Sequence, residues 1–126
     1  MHRSQLCGIV IDCSEQTFEA GVSFWSAALG RTAIRPDDPS DPYVGLEEGA
    51  NGLILLLQRV DDTSRVHLDL ETDDVEAEAR RLEGLGATRV AQIERWWVMR
   101  APSGHLFCVV PLQQGHTLDH AQVWED

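Results

Sequence analysis

The feature that most constrains this chain is an internal repetition. Residues 6–30 read as an apolar strand, Leu6 to Cys13, then a helix from about Glu15 to Leu29, closed by Gly30. Residues 66–86 read the same way: a strand from Val66, a helix from about Asp74 to Leu85, and a closing Gly86. Three short strand-like segments follow each pair. A supersecondary unit repeated at half-domain spacing cannot bury its apolar face alone, so the two copies are expected to build one fold with one site. The order is β-α-β-β-β, twice. The expected fold is α+β: two βαβββ modules forming a cupped, half-open barrel sheet in one domain. Module 1 covers about residues 5–60, module 2 about 65–112, and a polar tail runs over 113–126.

The periodicities support this reading. In the first strand Cys7, Ile9, Ile11 and Cys13 share one face, with Gly8, Val10 and Asp12 on the other. Phe18, Val22, Trp25 and Leu29 form one helical stripe, with Ser14 as the expected N-cap. A turn-rich loop, Pro36 to Pro42, is flanked by strands near Thr32–Arg35 and Tyr43–Glu47. Gly49-Ala50-Asn51-Gly52 is a hairpin signal, and Leu53–Val60 is apolar enough to be buried on both faces. Asp61 to Ser64 reads as a polar link. In the fifth strand His67, Asp69 and Glu71 alternate with Val66, Leu68 and Leu70. The second helix has an apolar stripe of Val75, Ala79, Leu82 and Leu85 opposite a charged face. Strands near Thr88–Gln92, Arg95–Arg100 and Leu106–Pro111 complete module 2.

Composition excludes several classes of function. Ten basic against 21 acidic residues give a net charge of −11, which repels a phosphate backbone, so no nucleic acid partner is expected. No apolar run reaches the length of a membrane helix, so no membrane partner is expected either. Three cysteines with no paired spacing fit reduced thiols and a cytoplasmic setting.

The specific pieces are Ile9-Val10-Ile11-Asp12-Cys13 with Phe24-Trp25-Ser26-Ala27-Ala28-Leu29-Gly30, then Arg65-Val66-His67-Leu68-Asp69-Leu70, then Trp97 through Cys108. In order and spacing they resemble the glyoxalase, bleomycin-resistance and ring-cleaving dioxygenase superfamily, the vicinal oxygen chelate proteins, over about residues 5–112. That resemblance implies metal ligands at four matched strand positions, which here are Gly8, Gln58, His67 and Cys108. Gly8 has no side chain, and Cys108 stands where glutamate is usual. The turn carries Ala101 and His105 where aspartate and asparagine are usual.

The expected function is therefore binding of a small organic molecule, as in the sequestering resistance proteins, with no obligatory cofactor. The alternative is a lyase, isomerase or dioxygenase-type enzyme that uses a divalent metal ion. Candidate catalytic residues are His67 and Asp69. Candidate ligand-binding residues are His67, Gln58, Trp96 and Trp97; the adjacent tryptophans must point to opposite faces. Candidate metal ligands are His67, Gln58 and Cys108. Cys7 and Cys13 read as packing thiols, and Asp12 with Asp69 as salt-bridging acids or an acid/base pair. His116 and His120 would share one face if the tail were helical. A homodimer is expected, with Leu118, Val123 and Trp124 of the tail available to lie across a neighbouring subunit.

Overall fold

The computed structural model describes residues 1–48, 52–61 and 65–126. The hairpin expected at Gly49-Ala50-Asn51-Gly52 falls mostly outside the described residues, as does most of the expected Asp61–Ser64 link. The elements are β1 (His2–Ser14), α1 (Phe18–Leu29), β2 (Ala33–Ile34), β3 (Tyr43–Leu46), β4 (Ile54–Val60), β5 (Arg65–Thr72), α2 (Val75–Gly84), β6 (Thr88–Ile93), β7 (Trp96–Arg100), β8 (Leu106–Pro111) and β9 (Gln122–Trp124). The α+β fold of two βαβββ modules is thus as the sequence implies.

The chain divides into two compact units: Gly8–His67, and Met1–Cys7 together with Leu68–Asp126. In the first, β1 pairs in parallel with β4, which continues antiparallel to β3 and then β2. In the second, β5 pairs in parallel with β8, which continues antiparallel to β7 and then β6. The pairing orders match strand for strand, which is the repeat seen in three dimensions.

In the first unit α1 lays Phe18 and Val22 against Cys13, Val44, Leu46 and Leu57, with Ile11, Trp25 and Leu55 at the margin. Its N-cap is Thr17 rather than Ser14. The hydroxyls of those two residues lie 2.8 Å apart in a turn that postpones the helix to Phe18. Gly30 closes it at φ 65°, a left-handed conformation that a β-carbon disfavours. Two apolar expectations fail here. Leu29 is exposed, and β4 buries only Leu57 fully, because its other face is not covered by α1.

In the second unit α2 packs Ala79, with Val75 and Leu82, on Ala87, Met99 and Val109. Its N-cap is Asp74, whose carboxylate accepts from the Ala77 N–H at 3.0 Å. Gly86 follows at φ 107°, and a β-carbon there would come within 3.0 Å of Pro102. Val66 and Leu68 of β5 are exposed although they share the apolar side of the strand, so α2 covers only part of that side.

The tail joins the second unit of its own chain. β9 pairs antiparallel with the start of β1, Trp124 opposite His2 and Gln122 opposite Ser4. The Trp124 indole N–H donates to Ser4 Oγ at 2.9 Å, and the Arg81 guanidinium stacks 3.8 Å above the Trp124 ring. Leu118 is buried and Val123 stays exposed. No helix forms over 112–121, so His116 and His120 do not share a helix face.

Candidate functional site

Strand register decides which side chains stand on the faces that the helices leave uncovered. In the first unit Ile11, Leu57 and Val44 are register partners in the core under α1, so the next row, Asp12, Gln58 and Tyr43, points the other way. Gln58 Nε2 donates to the Tyr43 hydroxyl at 3.3 Å. Asp12 is 1% exposed. Its Oδ2 accepts from His67 Nδ1 at 2.9 Å and lies 3.4 Å from Arg65 Nε. Asp12 therefore takes the salt-bridging role foreseen for it, with His67 as its nearest partner.

In the second unit Leu70, Val109 and Trp97 are register partners on the α2 side. The neighbouring row, Asp69, Cys108 and Val98, faces away from the helix. The carboxylate of Asp69 and the thiol of Cys108 lie within 4.8 Å of each other. His67 comes two residues before Asp69 on β5 and shares its face by strand alternation. The two tryptophans part as their adjacency requires. Trp97 packs into the α2 core with the Arg89 guanidinium 4.8 Å over its ring. Trp96 takes the opposite face, the face of Asp69 and Cys108.

The repeat itself can be put in register through Leu57 and Val109, the two fully buried residues of β4 and β8. Gly8 then matches His67, and Leu56, not Gln58, matches Cys108. Gln58 sits one row further on, matched to Val110 and paired with Asp12. The same register matches Asp12 to Glu71.

Glu71 is the polar residue that sequence reasoning passed over. It is fully buried, and its carboxylate accepts from Gln5 Nε2 at 2.7 Å, from the Gln113 N–H at 3.0 Å and from His116 Nδ1 at 2.8 Å. Burial first, then the neighbouring Glu71 and Asp69 carboxylates, push the Cys7 thiol far above the ordinary range, so Cys7 stays a thiol. None of the three cysteines is in a disulfide. The signal that could have found Glu71 is its match to Asp12: each is an acid inside an apolar strand at the same place in its module.

Paired parallel-and-meander half-sheets of this order define a class of α+β proteins built from repeated βαβββ modules. The model of the glyoxalase-like domain family matches residues 8–110, and the chain belongs to that family. No curated protein matches the chain. Several solved structures share the fold. One is methylmalonyl-CoA epimerase from Mycobacterium tuberculosis, at TM-score 0.63 and 15% identity, covering 86% of this chain and 89% of that one. Another is the Mn(II)-bound glyoxalase from Novosphingobium aromaticivorans, at TM-score 0.63 and 17% identity over 88% of this chain, which spans 40% of its length. A third is a glyoxalase/bleomycin resistance protein/dioxygenase superfamily member from Vibrio splendidus 12B01, at TM-score 0.54 and 17% identity, covering 84% and 97% of the two chains.

Proposed function

We propose that this chain binds a small organic molecule on the helix-free face of β5, β8 and β7, where Trp96 offers an aromatic surface and Asp69 offers a polar anchor. The observation that carries this reading is the separation of the two tryptophans. Trp97 is held in the core, whereas Trp96 stands on the face of Asp69 and Cys108. A mostly apolar surface with a few placed polar groups is the usual make-up of a small-molecule site. The test is a tryptophan-fluorescence ligand screen followed by titrations of Trp96→Leu and Asp69→Asn. Both are expected to weaken binding, Trp96→Leu by roughly 0.5–1.5 kcal/mol beyond the lost buried area. Hits that bind both folded variants as tightly as the parent would reject the site.

A second reading is supported by the donor set. β5 supplies Asp69 and β8 supplies Cys108, a carboxylate and a thiol within 4.8 Å of each other. Carboxylate and thiolate together fit a borderline divalent ion such as zinc better than magnesium or calcium. Such an ion would polarise substrate oxygens in a lyase or isomerase. Elemental analysis of protein purified without chelators or an affinity tag separates the two readings. The first expects no stoichiometric metal; one equivalent per chain, lost in Cys108→Ala, favours the second.

A homodimer in the cytoplasm completes the proposal. Leu6 and Leu68 of the second unit are close to half exposed, and three cysteines with no paired spacing suit a reducing compartment. Among the described residues no helix is long and apolar enough to cross a membrane. Sedimentation at micromolar concentration tests the assembly, and a species near the 14.0 kDa chain mass would reject it.

A further inference from the structure

We infer that Ile93 meets the ligand beside Trp96, and that one extra residue in β6 puts it there. The inference deepens the proposed function and rests on Trp96 facing the site.

Alternation along a strand sends residues of unlike parity to opposite faces. Arg89 of β6 lies on the α2 side. Its guanidinium stands 4.8 Å over the Trp97 ring and bonds Glu76 and Glu83 of the helix. Gln92, three residues on, should then face away from α2. It is instead the register partner of Trp97, which packs in the α2 core, and cross-strand partners share a face. A bulge accounts for the difference. Arg89 pairs with Met99 and Ala91 with Val98, so Val90 is the extra residue. One extra residue reverses the parity of the strand beyond it.

The reversal decides what stands next to Trp96. Its register partner is Ile93, and Ala91 pairs with Val98 on the same helix-free face. In an unbroken ladder those two places would go to Gln92 and Val90. The bulge thus sets a branched apolar side chain, not an amide, beside the tryptophan. Directly opposed side chains have β-carbons about 4.5–5.5 Å apart, close enough for Ile93 and the indole to touch one body together. Ile93 is 43% exposed, so it is available to such a body. The small side chain of Ala91 keeps the neighbouring surface low.

The other end of the pairing is fixed as well. Only Glu94 and Arg95 join β6 to β7, and Glu94 takes φ 51°, in the left-handed region that side chains disfavour. A two-residue loop sets the pairing of the residues that flank it, here Ile93 and Trp96. Bulges and held backbone outliers of this kind recur where a sheet aims a side chain at a site.

The wall of Ala91, Ile93, Trp96 and Val98 suits an apolar ring system. Asp69, the polar anchor, shares a register row with Cys108 and Val98 and stands two strands from Val98. Anchor and wall are therefore about 10 Å apart, the span of a two-ring molecule.

The test uses the neutral dye N-phenyl-1-naphthylamine and protein carrying 13C-labelled isoleucine methyls. Without dye, the parent should show NOEs between the Ile93 methyls and the Trp96 ring; their absence overturns the placement. On titration the Ile93 methyl and Trp96 indole signals should shift together with one dissociation constant. Ile93→Ala and Ile93→Gln should weaken the dye about three- to tenfold. Ala91→Trp, which fills the low surface, should abolish binding. An Ile93→Ala protein that binds as tightly as the parent, while Trp96→Leu does not, overturns the inference and leaves the proposed site standing. A dye that moves neither residue's signals overturns both. Should a variant not fold, the shifts of the parent's own Ile93 methyls decide.

Discussion

At the residue scale the molecule relies on buried carboxylates held in place by donors. Glu71 is the clearest, with an amide, a backbone N–H and an imidazole on one fully buried group. Glu71→Ala would leave those donors without an acceptor, and a loss of about 3 kcal/mol is expected from urea unfolding curves. Trp96 and Trp97 should behave oppositely. Trp97→Leu removes core volume and an Arg89 contact, so it should lower stability by about 2 kcal/mol, with ligand binding retained by the folded fraction. Trp96→Leu should change binding more than stability. Much of this was legible in the sequence: adjacency alone parts the tryptophans, and parity puts His67 with Asp69. The partners were not legible. Asp12 and His67 stand 55 positions apart, and Glu71 and His116 stand 45 apart, distances that no local pattern spans.

At the element scale, β1 and β9 carry the departures from expectation. Leu6 to Cys13 announces a strand by its apolar run, but the observed β1 begins at His2, and β9 has no apolar run at all. Their polar residues, His2, Ser4 and Trp124, are ordered by partners in α2 and β9 rather than by alternation. The same contacts account for the tail, whose Trp124 finds its place on Ser4 and Arg81 of its own chain. Removing residues 113–126 should therefore cost stability rather than only affinity between subunits, since it strips the Gln113 and His116 donors from Glu71. Circular dichroism melts of the truncated chain check this. Helix ends follow simpler rules: Asp74→Ala, which deletes the α2 N-cap, should destabilise by about 1 kcal/mol in the same assay.

For the whole molecule, the protons on His2 and Glu78 set the pH range. Burial alone would lower the His2 pKa, but its bonds to Glu78 and Asp126 outweigh that and raise it. Burial would raise that of Glu78, but Arg81 and His2 outweigh it and hold it below the usual carboxylate range. A raised histidine gives stability that is complete below its unfolded value, near ~6.5, and is lost as pH climbs through the folded one. A depressed carboxylate gives stability that is complete above its unfolded value, near ~4.3, and is lost as pH falls through the folded one. Melting temperature should therefore be highest in mildly acidic buffer and fall above neutrality, and His2→Gln should flatten the alkaline side of that profile. The net charge of −11 adds self-repulsion in the same alkaline direction.

The two compact units change hands at Cys7/Gly8, in the middle of β1, and again at His67/Leu68. The sequence order is therefore not the order of the units: the second is written in two pieces on either side of the first. The Met1 amine and an Asp126 carboxylate oxygen lie 2.7 Å apart. A circular permutant that joins these ends through a short linker, and opens the chain between Asp61 and Arg65, would make each unit nearly continuous. Such a permutant should fold at least as fast as the parent, because the contacts between residues 1–7 and the tail would become local in sequence.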